Sequence, residues 1–172
     1  DGTYQGMIEY IPGEYAHRPV DAEGYLFIHC IFLGFKKSYK GKGLGQELVD
    51  ASLADARKRK MKGVAVITRK GSFMADKRVF LKKGFDVVDM VKPDFELLAA
   101  KFDAAAGDPG FKPNMAARAA EYGTGLTVLR SPQCPYTEKN VAAILETAKE
   151  EFGLDAALID LTDAEAAQNA PG

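Results

Sequence analysis

The sequence contains no tryptophan, only two cysteines and only two histidines among its 172 residues. Two cysteines cannot build the disulfide framework of a small secreted domain, and no Cys or His spacing typical of a metal site is present, so we expect a reducing cytoplasm. The longest apolar run, Gly24–Gly34, is interrupted by His29 and is far shorter than the roughly 20 residues of a membrane helix. The sequence therefore predicts no membrane span.

The composition is that of a chain with a packed core. Hydrophobic residues make up 47% of the sequence and charged residues 27%, and 10 Phe with 7 Tyr supply the bulk that a disordered chain lacks. This length fits one domain, or one domain with part of a second.

The net charge of −1 hides a basic segment in an acidic frame. Between Lys36 and Lys83 there are 15 Lys and Arg but only 4 Asp and Glu. Such a segment suits an acidic surface, a nucleic acid or the phosphates of a nucleotide, or it is simply a solvated helix face. We place nucleic acid last because no aromatic stacking platform accompanies the charges.

The hydrophobic pattern predicts an α/β fold with a mixed central sheet flanked by helices. The run Tyr25–Leu33 is rich in aromatic and β-branched residues, which predicts the central strand, covered on both faces. The helix after it is expected to end near Lys60. The other expected elements are strands over Gly6–Ile11, Val64–Thr68, Phe85–Met90 and Pro93–Phe102, and a short helix over Asp76–Lys83.

A change in composition to Ala, Gly, Asp and Pro divides the chain. It predicts a first domain over residues 1–103, a linker over 104–113 and a smaller unit over 114–172. The smaller unit reads as strand, helix and strand over residues 126–129, 137–152 and 157–161, which is a βαβ unit.

A glycine-rich loop joins the predicted central strand to the amphipathic helix. Backbone N–H groups at a helix start attract anions, and glycines let a phosphate approach closely. A Walker loop would need Ser or Thr after Gly41-Lys42, and a dinucleotide fingerprint would need glycine in place of Gln46. A third pattern fits: a basic residue, two positions, Gly, one position, and Gly or Ala, matched by Lys40, Gly43 and Gly45.

This loop, with the strand before it, the helix after it and the segment Phe80–Phe85, resembles the GNAT acyltransferase superfamily over about Gly6–Phe102. The resemblance implies an N-acetyltransferase that moves an acetyl group from acetyl-CoA (coenzyme A) to a small-molecule or peptide amine. It also implies that the strand end and the loop hold acetyl-CoA, through Ile31, Phe32, Leu33, Lys40, Gly41, Lys42, Gly43, Leu44 and Gly45.

The proton transfers of this reaction are only partly assigned. The position of the family's usual tyrosine proton donor holds Phe80, so the thiolate leaves unaided, Tyr39 or Ser72 substitutes, or the protein binds acyl-CoA and catalyses slowly. His29 is either the general base or a hydrogen-bonded core histidine. Strand alternation predicts that Cys30 points to the face opposite His29, as a small core residue.

The segment Ser131–Thr137 places Cys134 at a predicted helix start, where a thiolate is favoured. It resembles a thioredoxin active-site turn in which Thr137 replaces the second cysteine. The whole order is similar to the YoaP-like acetyltransferases, in which a thioredoxin-like domain follows the GNAT domain, and implies a chain cut at both ends. Cys134 is an inert or a monothiol residue, and the alternative function is a thiol redox or thiol-sensing protein. Acceptor identity and homo-oligomerisation stay open.

Overall fold

The computed structural model describes residues 4–34, 36–39, 41–71, 74–113, 115–133 and 137–171. The chain forms two compact units. Unit 1 comprises residues 1–16 and 20–111, and unit 2 comprises residues 17–19 and 112–172. Each unit is described by itself.

Unit 1 contains a mixed five-stranded sheet in the order β1-β3-β4-β6-β5. The mixed sheet of an α/β fold is therefore confirmed. Its strands are β1 Gly6–Pro12, β3 Tyr25–Leu33, β4 Gly63–Arg69, β5 Asp86–Val91 and β6 Phe95–Lys101. All the ladders are antiparallel except the parallel one between β3 and β4.

The central position belongs to β4, so the prediction that Tyr25–Leu33 is the middle strand was wrong. Strand β3 lies between β1 and β4, whereas β4 has two strands on each side in the described sheet. The first six residues of β4 are buried, but β3 is buried only over its first four. A second, small sheet pairs β2, Val20–Asp21, with β7, Gly110–Phe111. Strand β7 lies inside the segment 104–113 that was predicted as a linker. Two-residue strands leave no periodic signal.

Both faces of the sheet carry apolar clusters, because successive side chains of a strand point to opposite sides. The helix face holds Leu26, Ile28 and Val66 from the strands, packed with α1 Leu44–Lys58 and α2 Arg78–Leu81. The second face holds a separate cluster, with Phe27, Ala65, Ile67, Leu97 and Ala99 among its members. Burying one large side chain in such a cluster contributes about 1.5–3 kcal/mol.

Unit 2 contains the predicted strand, helix and strand. The parallel strands β8 Thr127–Arg130 and β9 Ala157–Asp160 are joined by α4 Thr137–Phe152. Arg130 donates to Asp160 and to Glu138, and its hydrogen bond to Asp160 lowers the pKa of the Asp160 carboxyl. The remaining helices are α3 Met115–Glu121 and α5 Ala164–Asn169.

Within the part of the chain that the structure describes, none of the helices combines the length and the apolar character needed to cross a membrane.

Gly63, the first residue of β4, provides a test of the packing beneath the site. A Cβ at Gly63 would lie 2.2 Å from the carbonyl oxygen of Ala100, a backbone atom that cannot swing away. We expect Gly63→Ala to lower the free energy of unfolding by about 1–3 kcal/mol, the usual cost of overpacking. Urea denaturation followed by circular dichroism measures it.

Gly107→Ala is the matched control. A Cβ at Gly107 meets nothing within 4 Å, so its effect should stay within about 0.5 kcal/mol. Equal stability of the two variants would contradict the packing of β4 against β6.

Candidate active site

The parallel ladder between β3 and β4 stops halfway along both strands. Tyr25–Ile28 pairs with Gly63–Val66. Beyond these residues β3 continues to Leu33 beside β1, and β4 continues to Arg69 beside β6. The facing edges of the two strands therefore have no described strand between them beyond Ile28 and Val66. This opening brings main-chain N–H groups to a gap in the sheet.

A β-bulge marks the point where the strands part. Opposite Glu9 stands Cys30, but opposite the next residue, Tyr10, stands Ile28, so His29 is an extra residue in β3. A bulge bends its strand and increases the local twist. The bend therefore coincides with the end of the ladder between β3 and β4.

The bulge overturns the prediction that Cys30 and His29 point to opposite faces. Tyr10 packs with the helix-face cluster, so its neighbour Glu9 points to the second face. Residues paired across a ladder share a face, which places Cys30 there, and His29 contacts Glu9 on the same side. The alternation of side chains between the two faces fails here because His29 is an extra residue, so His29 and Cys30 point to the same face.

Two of the three predicted strand-end residues direct their N–H groups at the opening. The N–H of Gly34 donates to the carbonyl oxygen of Gln5, the residue just before β1, at 2.8 Å. Ladder hydrogen bonds alternate along an antiparallel strand, so the N–H groups of Leu33 and Ile31 point away from β1, towards β4. By the same alternation, Phe32 directs its N–H at β1.

The glycine loop ends at the start of α1 in an open position. Gly41 and Gly43 have φ of 75° and 78°, the left-handed region that glycine adopts without steric cost. A Cβ at either would meet nothing within 4 Å. The oxygen of Gly43 accepts from Gln46, so the N–H groups of Leu44 and Gly45 have no acceptor within the helix.

The loop and the strand end lie close together. A Cβ on Gly45 would lie 3.5 Å from the Leu33 side chain and 3.9 Å from that of Val79 in α2. The start of α1, the end of β3 and α2 thus meet at one small residue. Lys42 is exposed beside them, and Lys40 lies outside the described residues.

This arrangement suits an elongated ligand with a phosphate at one end. N–H groups at a helix start and in left-handed turns bind anions, and the N–H groups of a strand edge bind an amide chain laid beside it. A cavity of about 310 Å³ on the β1 side of Leu33 is lined partly by Glu47, whose carboxylate would repel a phosphate. The anion therefore fits the open side of the loop better than this cavity.

His29 and Glu9 form a pair on the second face of the sheet. The Nδ1 atom of His29 lies 3.4 Å from Oε1 of Glu9, and the Phe27 ring packs edge-on at a centroid distance of 5.4 Å. The imidazole is 1% exposed, whereas the Glu9 side chain is 36% exposed. Solvent and ligands thus reach the pair through the carboxylate, which the sequence did not single out.

The hydroxyl groups predicted to protonate a leaving thiolate are only partly described. Phe80 is fully buried and packs on Phe85 at a ring-centroid distance of 5.5 Å, so its position is part of the core. Tyr39 is half-buried and packs on Gly34, where a Cβ would come within 2.9 Å of its ring. Ser72 and Cys134 lie outside the described residues, and the thiol chemistry of Cys134 stays a prediction.

Among the described residues, no group of three or more His, Cys, Asp or Glu side chains is arranged so that it could hold a metal ion.

Comparison with known proteins supports the expected family. Residues 1–85 match the family model described as Acetyltransferase (GNAT) family. The uncharacterized N-acetyltransferase YoaP of Bacillus subtilis (strain 168) is 29% identical over 167 residues, which are 96% of this chain. The chain spans 65% of the length of that relative.

Solved acetyltransferase structures are also similar to this chain. One is a Bacillus subtilis acetyltransferase in complex with CoA, with a TM-score of 0.45, 17% identity, and coverage of 59% of this chain and 72% of the other. Another is a GNAT family acetyltransferase from Brucella melitensis in complex with acetyl-CoA, with a TM-score of 0.40, 20% identity, and coverage of 66% and 62%.

The glycine loop, the strand before it and the Phe80–Phe85 segment all fall within the matched region, so residues 1–85 are similar to the GNAT acetyltransferase family.

Proposed function

We propose that this chain transfers an acetyl group from acetyl-CoA to an amine of a small molecule or peptide. The observation that carries the proposal is the opening between β3 and β4 beside the glycine-rich start of α1, in a region that matches the GNAT family. Acetyl-CoA has the matching shape, a pyrophosphate joined to a long amide-bearing arm that ends in a thioester.

The loop and the strand end divide the binding of acetyl-CoA between them. The pyrophosphate would lie over Gly41–Gly45, where N–H groups, the helix dipole and the charge of Lys42 favour an anion. The pantetheine arm would follow the edge of β3, with its amides paired to the main chain at Ile31 and Leu33. A main-chain N–H at this edge would also stabilise the oxyanion that develops on the thioester carbonyl.

The pair of Glu9 and His29 would accept the proton of the attacking amine. Glu9 is the exposed member, so its carboxylate attracts a cationic amine and takes its proton directly or through one water. The buried His29 would hold that carboxylate in place and share the proton. The new C–N bond then forms, the C–S bond breaks, and the electron pair of that bond leaves on sulfur.

Unit 2 is proposed to be a partial thioredoxin-like unit whose thiol takes no part in acetyl transfer. Its parallel β8 and β9, joined by α4 that follows Cys134 in the sequence, support this interpretation.

We expect Cys134→Ser to leave the turnover of acetyl-CoA unchanged within about twofold, the scatter of a neutral substitution. A loss of turnover after this substitution would instead favour the thiol function.

Gly43→Trp tests the binding of the pyrophosphate. The indole would fill the open space above the loop, so the affinity for acetyl-CoA in calorimetric titration should fall by at least about tenfold, the loss of one hydrogen bond to a charged group. The left-handed backbone should also cost about 1–2 kcal/mol of stability.

Gly123→Trp separates the two effects. Gly123 has a nearly identical φ of 74° and the same open surroundings, but it lies in unit 2. This control should lose similar stability and keep its affinity for acetyl-CoA. If both variants bound acetyl-CoA as the unaltered chain does, the loop would not hold the pyrophosphate.

Glu9→Gln and His29→Gln test the proton acceptor. Release of free thiol from acetyl-CoA is measured with a panel of primary amines comprising a polyamine, an aminoglycoside and a peptide with a free α-amino group. With any amine that is acetylated, each single variant should lower kcat by about 10²- to 10⁴-fold, the usual contribution of a positioned base. The kcat of the double variant should be no lower than that of the less active single variant, because the two residues act as a unit.

Glu23→Gln is the control, since it removes an exposed carboxylate of unit 1 that is not part of the pair. Unchanged kcat in Glu9→Gln would exclude Glu9 as the acceptor of the proton.

A further inference from the structure

Thr68 lies on the edge of the opening, on the helix face of the sheet. Val66 is the last residue of β4 that pairs with β3, and it belongs to the helix-face cluster with Phe80. Two residues further along β4, Thr68 points to the same face. Thr68 therefore lies one two-residue repeat beyond Val66, in the part of β4 that no longer pairs with β3.

The hydroxyl of Thr68 is buried without a hydrogen-bond partner among the described residues. The residue is 1% exposed, and Oγ1 contacts neither a donor nor an acceptor there. The neighbour across the ladder is Glu96, whose carboxylate is engaged by Lys77 at 2.6 Å. A buried hydroxyl without a partner is destabilising, and valine would fill the same volume without that cost. The stability of the fold therefore does not explain why this position holds threonine rather than valine.

We propose that the Thr68 hydroxyl donates a hydrogen bond to the sulfur of coenzyme A as the acetyl group leaves. The inference rests on the proposed function, which lays the thioester arm in the opening between β3 and β4. The position of the usual phenol donor is filled by Phe80, which has no proton to give and is locked in the core. Thr68 supplies a buried hydroxyl of known position on that face, on a strand that borders the opening.

The hydroxyl keeps its proton in this step. As the amine nitrogen bonds to the carbonyl carbon, the C–S bond breaks and its electron pair moves to sulfur. The amine proton goes to the pair of Glu9 and His29. The thiolate accepts the hydrogen bond of Thr68, which stabilises negative charge by more than a neutral pair would.

A binding cycle tests the contact without knowledge of the acceptor. Calorimetric titration at pH 9, where thiols are partly ionised, measures the affinity of the whole chain for coenzyme A and for desulfo-coenzyme A, which lacks the sulfur. The unaltered chain should bind coenzyme A about 5- to 10-fold more tightly than the desulfo compound, and Thr68→Val should reduce that ratio to below about twofold. Thr68→Ser keeps the hydroxyl and should keep the ratio.

Stability provides the second readout. Removal of the unpartnered hydroxyl should raise the melting temperature of Thr68→Val by roughly 2–4 °C, so a loss of the ratio cannot come from unfolding. Ser52→Ala is the control, because that buried hydroxyl donates to the oxygen of Val49 in α1. It should lower the melting temperature and leave the ratio unchanged.

The outcomes separate this inference from the proposed function. If both compounds bind and the ratio is the same in Thr68→Val as in the unaltered chain, the role of Thr68 is overturned and the proposed function stands. If neither compound binds the unaltered chain, the proposed function fails, and the inference fails with it.

Discussion

The parallel hydrogen-bond ladder between β3 and β4 controls the rest of the site, because every candidate group is placed by where that ladder ends. Over Tyr25–Ile28 the two strands are held together, and apolar side chains on both faces exclude water from them. Beyond Ile28 each strand follows its other neighbour. The resulting gap presents main-chain donors between two clusters, with the glycine loop at one end and the pair of Glu9 and His29 on the second face.

Much of this fold can be predicted from the sequence, since it follows from local patterns. The continuous apolar run predicted β3, the 3.6-residue repeat predicted α1, and the glycines predicted the turn between them. What could not be predicted depends on pairing between distant segments. The bulge at His29 exists only relative to Glu9 and Tyr10, which is why the orientation of Cys30 was wrong.

Long-range pairing also explains the other failures. The middle position of β4 depends on which strands join each side of the sheet, and no local repeat contains that information. The proximity of Glu9 to His29 joins residues 20 positions apart. That the Thr68 hydroxyl has no partner among the described residues is a property of its surroundings rather than of its residue type. The sequence therefore predicted the elements and the loop, and the structure was needed for the side-chain pairs.

The basic segment proves to be partly neutralised within the fold. Arg59 pairs with Asp55, Lys83 with Asp50, and Arg57 lies 3.8 Å from the centroid of the Phe102 ring. Such surface contacts contribute little stability, and each of the two carboxylates offsets one positive charge of the segment, whereas the ring leaves the charge of Arg57 in place. Part of the segment is thus a solvated helix face, and the charge of Lys42 stays exposed in the glycine loop.

The bulge in β3 also shows how small a change in sequence would close the opening between β3 and β4. It consists of a single residue, His29, inserted opposite Glu9. Without that insertion the two-residue repeat would run uninterrupted, and the straightened strand could stay bonded to its parallel neighbour for its whole length. Beyond Ile28 and Val66 the two strands lack the hydrogen bonds that a continuous ladder would give them, so complete pairing of β3 with β4 and an opening between them are mutually exclusive.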